Sequence, residues 1–309
     1  MFRTVIAGSA ILALLILGSG TAAARGAAAQ TTRSASARQV ERFWTPRRMA
    51  AARPLEMTVG RDGRADVHLG RRPATARASY SLVETPETPP YAWNGRLYVV
   101  EDGKEGFCSA TAIESASRRL VLTAGHCVNT GPKSDRPGKP GTWATELEFV
   151  PGFNLGVAPY GTFVLSGRPR APSRWVREGN PDYDLGAFLT EPNAEGVALD
   201  DAVGGGAQIV TDLSRKQRYE TFGYPGATER MRTCVSGFAG EDAITAGLIG
   251  PTPSAIRCDW TRGTSGGAWL IDGGHEIDGI TTYIRKEAEK LAFGPYFAAS
   301  TVGHLVAGL

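Results

Sequence analysis

From Gly95 onward the chain consists of short β-type runs interrupted by Gly, Pro and Asn residues, and this pattern limits the possible folds more than any other feature of the sequence. Short apolar and β-branched runs bounded by turn residues are typical of strands, whereas helical patterning is confined to the stretch from Ser300 to Leu309. The runs lie at 96–101, 108–114, 119–122, 147–150, 162–165, 185–189, 208–210, 219–223, 231–238, 268–271 and 277–283. Roughly two hundred residues are enough for two modest cores. The sequence therefore predicts an all-β fold of two packed barrels with a short closing helix.

The first 28 residues have the composition of a secretory signal. Arg3 supplies a basic end, an apolar run covers residues 5–17, and small residues typical of a cleavage region follow at 21–24. The apolar run is too short to span a bilayer, and no later stretch is long and apolar enough to do so. We therefore expect a secreted protein, extracellular or periplasmic, without a membrane span once the signal is removed.

Residues 29–90 differ in charge from the rest of the chain. Between Arg25 and Arg77 there are twelve arginines and four acidic residues, whereas from Ala78 onward there are twenty-one basic and twenty-seven acidic residues. The formal net charge of +3 therefore comes from the early segment, and the following domain, residues 91–309, has no basic excess that would favour nucleic-acid binding. We interpret residues 29–90 as a basic propeptide, with a disordered linker as the alternative.

A serine between glycines stands in the stretch from Gly263 to Gly267, whose sequence is GTSGG. Glycines allow a tight turn that exposes the Ser265 hydroxyl, and they let the backbone N–H groups of Gly263 and Ser265 converge on one point. Such a pair of donors would form an oxyanion hole. A flexible Gly/Ser turn without catalytic function is the ordinary alternative. The assignment of Ser265 as a nucleophile therefore depends on a base and an acid elsewhere in the chain.

A histidine and an acid occupy suitable positions upstream of this turn. His126 follows the apolar run 119–122, so its imidazole lies where a strand ends. Asp184 directly precedes the apolar run 185–189, and an acid at the start of a buried strand is half-buried and can orient an imidazole. Asp182 is the alternative acid. We favour Asp184 because it is the nearer of the two to the apolar run.

The segments LTAGHC, DLGAFL and GTSGG resemble the signatures of chymotrypsin-fold serine proteases, which carry histidine, aspartate and serine in this same chain order. Subtilisin-type enzymes have a different order. The GTSGG stretch also fits the nucleophile elbow of α/β-hydrolases, with His275 or His304 as the base, but too little chain follows Ser265 to complete that fold. The resemblance implies two packed six-stranded antiparallel β-barrels, with His126 and Asp184 in the first barrel and the serine in the second.

Further motifs from about Gly95 onward resemble the glutamyl-endopeptidase-like branch of secreted bacterial serine proteases. These motifs are GRL at 95–97, CSATAI at 108–113, FVPGFN at 149–154, PYG at 159–161, GYPG at 223–226 and GPYF at 294–297. Together they cover most of the chain after the early segment. We accordingly expect an endopeptidase that acts on proteins or peptides as a monomer and needs no metal or other cofactor.

Four cysteines, an even number, agree with export, because disulfides form and persist in oxidising compartments. Four cysteines allow three connectivities. The family pattern implies that Cys108 pairs with Cys127 and that Cys234 pairs with Cys258. A metal site of cysteines and histidines is the alternative, but the chain has neither a CxxC pair nor clustered histidines.

The resemblance also implies a mechanism. His126 takes the proton from Ser265 as the serine attacks a carbonyl, Asp184 orients the imidazole, and the N–H groups of Gly263 and Ser265 receive the oxyanion. An acyl-enzyme then forms, and water releases it. Two other functions stay open, namely a secreted esterase that uses the same serine and a binding module that keeps the fold without catalysis.

The specificity of the predicted peptidase depends on residues near the serine. Asp259 lies six residues before Ser265, where trypsin-like enzymes place the carboxylate that pairs with a substrate Arg or Lys, although members of the glutamyl-endopeptidase-like branch often carry this Asp without that preference. Thr282 and Tyr283 align with the strand that lines the pocket and are expected to contact substrate. Thr281 stands where glutamate-specific relatives have a histidine. We expect an endopeptidase that is not strictly glutamate-specific and slightly favours basic residues.

Overall fold

The structure is a computed structural model. It describes Met1 and residues 34–71, 80–133, 136, 138–226, 228–285 and 290–309. The predicted signal peptide, residues 1–28, lies outside the described residues apart from Met1. Among the helices in the described ranges, none has the length and apolar character needed to cross a bilayer.

Strands dominate the described part of the chain, as the sequence predicts. They are β1 (Arg53–Val59), β2 (Ala65–Leu69), β3 (Ser81–Leu82), β4 (Asn94–Glu101), β5 (Lys104–Ile113), β6 (Leu120–Thr123), β7 (Thr145–Pro151), β8 (Phe163–Arg170), β9 (Gly186–Thr190), β10 (Gln208–Ile209), β11 (Arg218–Gly223), β12 (Arg232–Glu241), β13 (Ser254–Ile256), β14 (Ala268–Ile271), β15 (Glu276–Ile280), β16 (Tyr283–Ile284) and β17 (Ala292–Gly294). The α-helices are short: α1 (Ala35–Phe43), α2 (Pro46–Ala51), α3 (Ser173–Glu178), α4 (Leu199–Val203) and α5 (His304–Val306).

Six strands close into the first barrel. Their order is β5-β4-β7-β8-β9-β6, all neighbours are antiparallel, and β6 returns to pair with β5. Closure leaves these strands without the free edges that favour aggregation. The interior is apolar, and its fully buried side chains include Leu97, Val121, Phe149, Phe163 and Phe188. The predicted six-stranded antiparallel barrel is confirmed for this half of the molecule.

The second half of the domain is built on a nine-stranded sheet. Its order is β10-β15-β14-β11-β12-β13-β17-β16, with β3 attached to β12. Buried residues of β14 and β15, among them Leu270 and Ile277, belong to the same apolar cluster as the first barrel, so the two halves share one core. A π-helical turn, Ala299–Gly303, and α5 end the chain. The all-β architecture with a short C-terminal helix is therefore confirmed. The second half differs from the predicted six-stranded antiparallel barrel, because its sheet has nine strands and β10 pairs with β15 in parallel.

The early segment is ordered where the structure describes it. Helix α1 begins after Ser34, whose hydroxyl accepts a hydrogen bond from the Ala37 N–H, and α2 begins after Thr45 in the same way. The Trp44 side chain is buried in the core cluster of the first barrel, and β1 pairs with β2 and with β5. Residues 34–69 thus form helices and strands that pack on the barrel. The propeptide interpretation stays a prediction.

The two disulfides implied by the family resemblance are both present. Cys108 on β5 is bonded to Cys127, which follows β6, with 6.2 Å between their Cα atoms. Cys234 on β12 is bonded to Cys258 beyond β13, with 6.1 Å between their Cα atoms. Each bridge fastens a loop that leads to a predicted catalytic residue, the first beside His126 and the second on the approach to Ser265.

Candidate active site

The ends of two neighbouring strands bring His126 and Asp184 together. His126 lies in a 3₁₀ turn directly after β6, and Asp184 lies directly before β9. Since β6 and β9 are antiparallel neighbours with Thr123 opposite Gly186, the end of one strand meets the start of the other. This pairing places an imidazole and a carboxylate side by side, although 58 residues separate them in the chain.

Asp184 binds His126 through both carboxylate oxygens. Oδ2 lies 2.8 Å from Nδ1 of the imidazole, and Oδ1 accepts a hydrogen bond of 2.7 Å from the His126 backbone N–H. Both side chains are fully buried. Gly125 makes this approach possible, because a Cβ at that position would lie 2.8 Å from the Asp184 carboxylate. A carboxylate accepts hydrogen bonds, so this contact favours the imidazole tautomer that carries its proton on Nδ1 and has a free lone pair on Nε2.

The turn that carries Ser265 is fastened to the first barrel by Ser109 of β5. The Ser109 hydroxyl donates a hydrogen bond of 2.9 Å to the Gly263 carbonyl, and the Ser109 N–H donates one of 2.8 Å to the Ser265 carbonyl. Gly266 has a φ of 86°, and a Cβ there would lie 2.2 Å from both the Ser109 carbonyl oxygen and the Thr123 hydroxyl. Only glycine fits this position, since any other residue would collide and be strained.

The backbone N–H groups predicted to form the oxyanion hole are available to a ligand. Within the described ranges, the N–H groups of Gly263 and Ser265 make no hydrogen bond to the protein. Gly263 has a φ of 95°, a conformation that glycine adopts without strain. The neighbouring Thr264 is buried and donates its hydroxyl proton to the Thr261 carbonyl at 2.8 Å, so that side chain is engaged within the turn.

The Ser265 hydroxyl is hydrogen-bonded to the backbone in this structure. It donates to the Thr282 carbonyl at 3.2 Å. The Nε2 atom of His126 is buried and has no hydrogen-bond partner among the described residues. The carbonyl of Ser265 lies 3.9 Å from the sulfur of Cys127, the residue after His126, so the two turns adjoin. The turns that carry the serine and the histidine thus adjoin, without the hydrogen bond between Ser265 Oγ and His126 Nε2 that proton transfer requires.

A small cavity beside Ser265 contains two of the three predicted substrate-binding residues. Thr282 and Tyr283 line it, whereas Asp259 is not among the described residues that do. The Asp259 carboxylate instead lies near Tyr80. Burial raises the pKa of the Tyr80 hydroxyl, and the negative charge of Asp259 raises it further, to a smaller degree. The structure therefore provides no contact between Asp259 and the cavity.

The alternative bases His275 and His304, and the cysteines beside His126, have other partners in the described part of the chain. His275 lies 5.3 Å from the ring of Trp93, His304 lies in α5, and neither is hydrogen-bonded to Ser265 in the described structure. Cys108 and Cys127 lie close to His126, but their sulfurs are joined in a disulfide and offer no thiolate to a metal ion.

The fold is that of bacterial chymotrypsin-like serine proteases. The protease Anisep from Arthrobacter nicotinovorans is 27% identical with a TM-score of 0.61, over 70% of this chain and 96% of that one. The thermostable serine protease AL20, from an extremophilic microorganism, is 24% identical with a TM-score of 0.60, over 69% of this chain and 95% of that one. A Glu endopeptidase shares the fold at 20% identity with a TM-score of 0.58, over 75% of this chain and 96% of that one.

These neighbours confirm the predicted chymotrypsin-like protease fold, and the Glu endopeptidase is among the proteins that share it. No protein-family profile and no curated protein sequence matches the chain. The similarity is therefore visible in three dimensions and in short motifs, and the chain carries a protease fold.

The sequence motifs do not reveal the residues that support the turns carrying His126 and Ser265. Ser109 was identified only as part of a motif, although a serine inside the apolar strand 108–113 is a sign of a buried polar contact. Trp175 packs on His126 with 6.4 Å between the ring centroids and donates its indole proton to the Asn129 carbonyl. Local patterning shows no sign of the Trp175 contact, because 49 residues separate it from the histidine.

Asp182, the alternative acid, lies in a different environment from Asp184. Its side chain is fully buried, and neither carboxylate oxygen has a hydrogen-bond partner among the described residues. Burial raises the pKa of Asp182 to about 7, because the charged form loses its hydration. Glu101 is similar, since burial raises its pKa to about 7. Asp182 does not hydrogen-bond to His126, so the structure pairs Asp184 with the imidazole.

We expect Asp182→Asn to raise the free energy of unfolding, and more so at pH 8 than at pH 5. Because the pKa of Asp182 is higher in the folded chain than its ordinary value of 3.8, folding loses stability as the pH rises from about 4 to about 7. An amide stays neutral and escapes this cost. Urea unfolding should show that the advantage of the variant grows by about 2 kcal/mol between the two pH values. Asp66→Asn, at an exposed position, is the control, and an equal gain at both pH values would contradict the prediction.

Proposed function

We propose that this protein is a secreted serine endopeptidase in which His126, Asp184 and Ser265 form the catalytic triad. The observation that carries the proposal is the double contact of Asp184 with His126, at 2.8 and 2.7 Å, beside a glycine turn with a serine at its centre. The contact occurs on a fold that this chain shares with a bacterial protease, which favours peptides over other acyl compounds as the substrates. The N–H groups of Gly263 and Ser265, which have no acceptor in the described structure, are proposed as the oxyanion hole.

The reaction begins when the Ser265 hydroxyl turns from the Thr282 carbonyl to Nε2 of His126. Ser265 Oγ attacks the substrate carbonyl carbon while Nε2 takes the hydroxyl proton, and the carbonyl oxygen becomes an oxyanion that the two N–H groups stabilise. The tetrahedral intermediate collapses, the C–N bond breaks, and His126 returns the proton to the leaving amine. Water then attacks the acyl-enzyme with His126 again as the base, which releases the acid and restores Ser265.

Asp184 keeps the imidazole in the tautomer that this reaction requires. Its Oδ2 atom faces Nδ1, so the mobile proton of the reaction is confined to Nε2. When His126 becomes an imidazolium, the buried carboxylate stabilises the positive charge. No metal or other cofactor takes part in these steps.

We further propose that the chain is exported by residues 1–28 and that residues 29–90 are removed from the folded precursor. The two disulfides support export, since such bridges persist in oxidising compartments. The stretch Thr85–Pro90, which joins the segment to the domain, is mostly exposed and accessible to a processing enzyme. N-terminal sequencing of the secreted form identifies the processing site.

Labelling with a fluorophosphonate probe tests the proposed function. The processed secreted protein should be labelled at Ser265 and should cleave peptides, whereas Ser265→Ala should do neither. A binding module of the same fold would not be labelled, and that outcome would refute the proposal. Peptide and short-chain ester substrates, measured side by side, separate an endopeptidase from an esterase that uses the same serine.

A further inference from the structure

The hairpin formed by β1 and β2, residues 53–69 and called here the cleft hairpin, lies over the candidate active site. Strand β1 contacts both β16 and the turn that carries His126. Three consecutive residues of β1, Leu55–Met57, line the cavity beside Ser265 together with Thr282 and Tyr283. The remaining volume is only ≈ 10 Å³, which is room for about one water molecule. Ser265 is accordingly 6% exposed.

An ion pair joins the middle of β1 to the turn before the serine. The Glu56 carboxylate contacts the guanidinium of Arg262, and it also lies 3.3 Å from the imidazole of His68 on β2. Glu56 is buried, so its contact with Arg262 is shielded from water. Gly70, just after β2, allows the close approach, because a Cβ there would lie 2.5 Å from the Arg262 side chain and 3.1 Å from the Glu56 carboxylate.

Met57 anchors the hairpin in an apolar site. Its side chain is 1% exposed and belongs to a cluster with Trp175, Tyr283 and Phe293. Trp175 also packs on His126, and Tyr283 lies on β16 next to Thr282. Met57 therefore occupies space immediately beside the catalytic groups, space that a substrate would have to enter.

The hairpin is fastened at both of its ends. Arg53 and Pro54 pair in parallel with Gly106 and Phe107 of β5, the strand that also holds the Ser265 turn. The Arg53 guanidinium donates hydrogen bonds of 2.9 Å to the Leu69 carbonyl and 3.0 Å to the Gly70 carbonyl, which ties the start of β1 to the end of β2. The hairpin is thus held by backbone pairing, by an ion pair and by buried apolar side chains, which are Leu55, Met57 and Val67.

We infer that the cleft hairpin is a built-in inhibitor that fills the cleft of the precursor and keeps substrates from Ser265 until it is displaced. The inference rests on the proposed peptidase function and adds the contacts that regulate it. The hairpin blocks the cleft because its side chains occupy the space that a substrate would need. Met57 lies in the apolar site, and Glu56 pairs with Arg262. Weakening either contact should raise the fraction of open chains and with it the rate at which a probe reaches the serine.

The test uses the intact chain, verified by mass, in its wild-type form and as Met57→Ser and Glu56→Gln. The rate of fluorophosphonate labelling of Ser265 should rise about tenfold or more for Met57→Ser, because a buried methionine anchor is lost, and about threefold for Glu56→Gln. Thr58→Ala, on the same strand, and Asp66→Asn, at an exposed position of β2, are matched controls that should label as slowly as wild type. Thermal unfolding verifies that each variant remains folded.

Hydrogen–deuterium exchange at residues 281–285 gives a readout that does not depend on catalysis. Faster exchange together with faster labelling in Met57→Ser supports the inhibitor. Equal labelling of wild type, controls and both variants would overturn it. Faster exchange in Met57→Ser, with no labelling of any chain or of the processed protein, would instead refute the peptidase proposal. The two failures are therefore distinguishable.

Discussion

Ser265→Ala and His126→Ala are each expected to abolish peptide hydrolysis almost completely, and Asp184→Asn is expected to lower kcat by about ten-thousand-fold. Without the serine hydroxyl there is no nucleophile, and without the imidazole there is no base. An amide in place of the Asp184 carboxylate would offer Nδ1 a donor group and favour the imidazole tautomer with its proton on Nε2, which cannot accept the serine proton.

The measurement is kcat and KM for a peptide substrate with the processed protein, together with thermal unfolding of each variant. The fold should survive Ser265→Ala, since the turn is held by backbone bonds and by Ser109 rather than by the serine hydroxyl. Asp182→Asn is the matched control, an acid-to-amide change two residues away that leaves the contact between Asp184 and His126 intact. If Asp182→Asn were the more damaging of the two changes, the assignment of the acid would be wrong.

Loss of the bridge between Cys108 and Cys127 is expected to reduce activity more than its effect on stability explains. The bridge closes a loop with a sequence separation of 19 residues and should stabilise the fold by about 3 kcal/mol. Cys127 follows His126 directly and belongs to the same 3₁₀ turn. Replacing both cysteines with serine should therefore let the imidazole drift from Asp184, and small displacements of a catalytic group are costly.

The bridge between Cys234 and Cys258 provides the matched comparison. Its sequence separation of 24 residues predicts a similar cost in stability, but Cys258 stands seven residues before Ser265. Both double-serine variants should be assayed at a temperature at which urea curves show them fully folded. We expect kcat/KM to fall further for the first pair than for the second. Equal losses would show that the first bridge acts only through stability.

Local patterning predicted most of the strands but missed several, among them β1, β13 and β17. Runs such as 219–223 and 268–271 were found because their apolar and β-branched residues are bounded by turn residues. Strands β13 and β17 have three residues each, too few to show a period. Strand β1 was missed because it lies in an arginine-rich and alanine-rich context, although β5 and β2 supply the pairing that makes it a strand.

The sequence by itself determined the candidate nucleophile, the base and the order of the triad. These assignments depend on short motifs, in which glycines permit a turn and an apolar run ends at a polar side chain, so each can be seen within about ten residues. The tertiary structure decided which acid faces His126. Asp182 and Asp184 differ by two positions in the chain, but only Asp184 meets the imidazole where β6 and β9 adjoin.

The tertiary structure also decided what lies in the cleft. Composition marked residues 29–90 as basic and separate, but it could not show that Glu56 meets Arg262 or that Met57 meets Tyr283. These partners are more than two hundred residues apart, and local propensity carries no information about such distant contacts. They form because the first barrel closes and packs on the second sheet. This packing brings the cleft hairpin, the turn before Ser265 and strand β16 to one site.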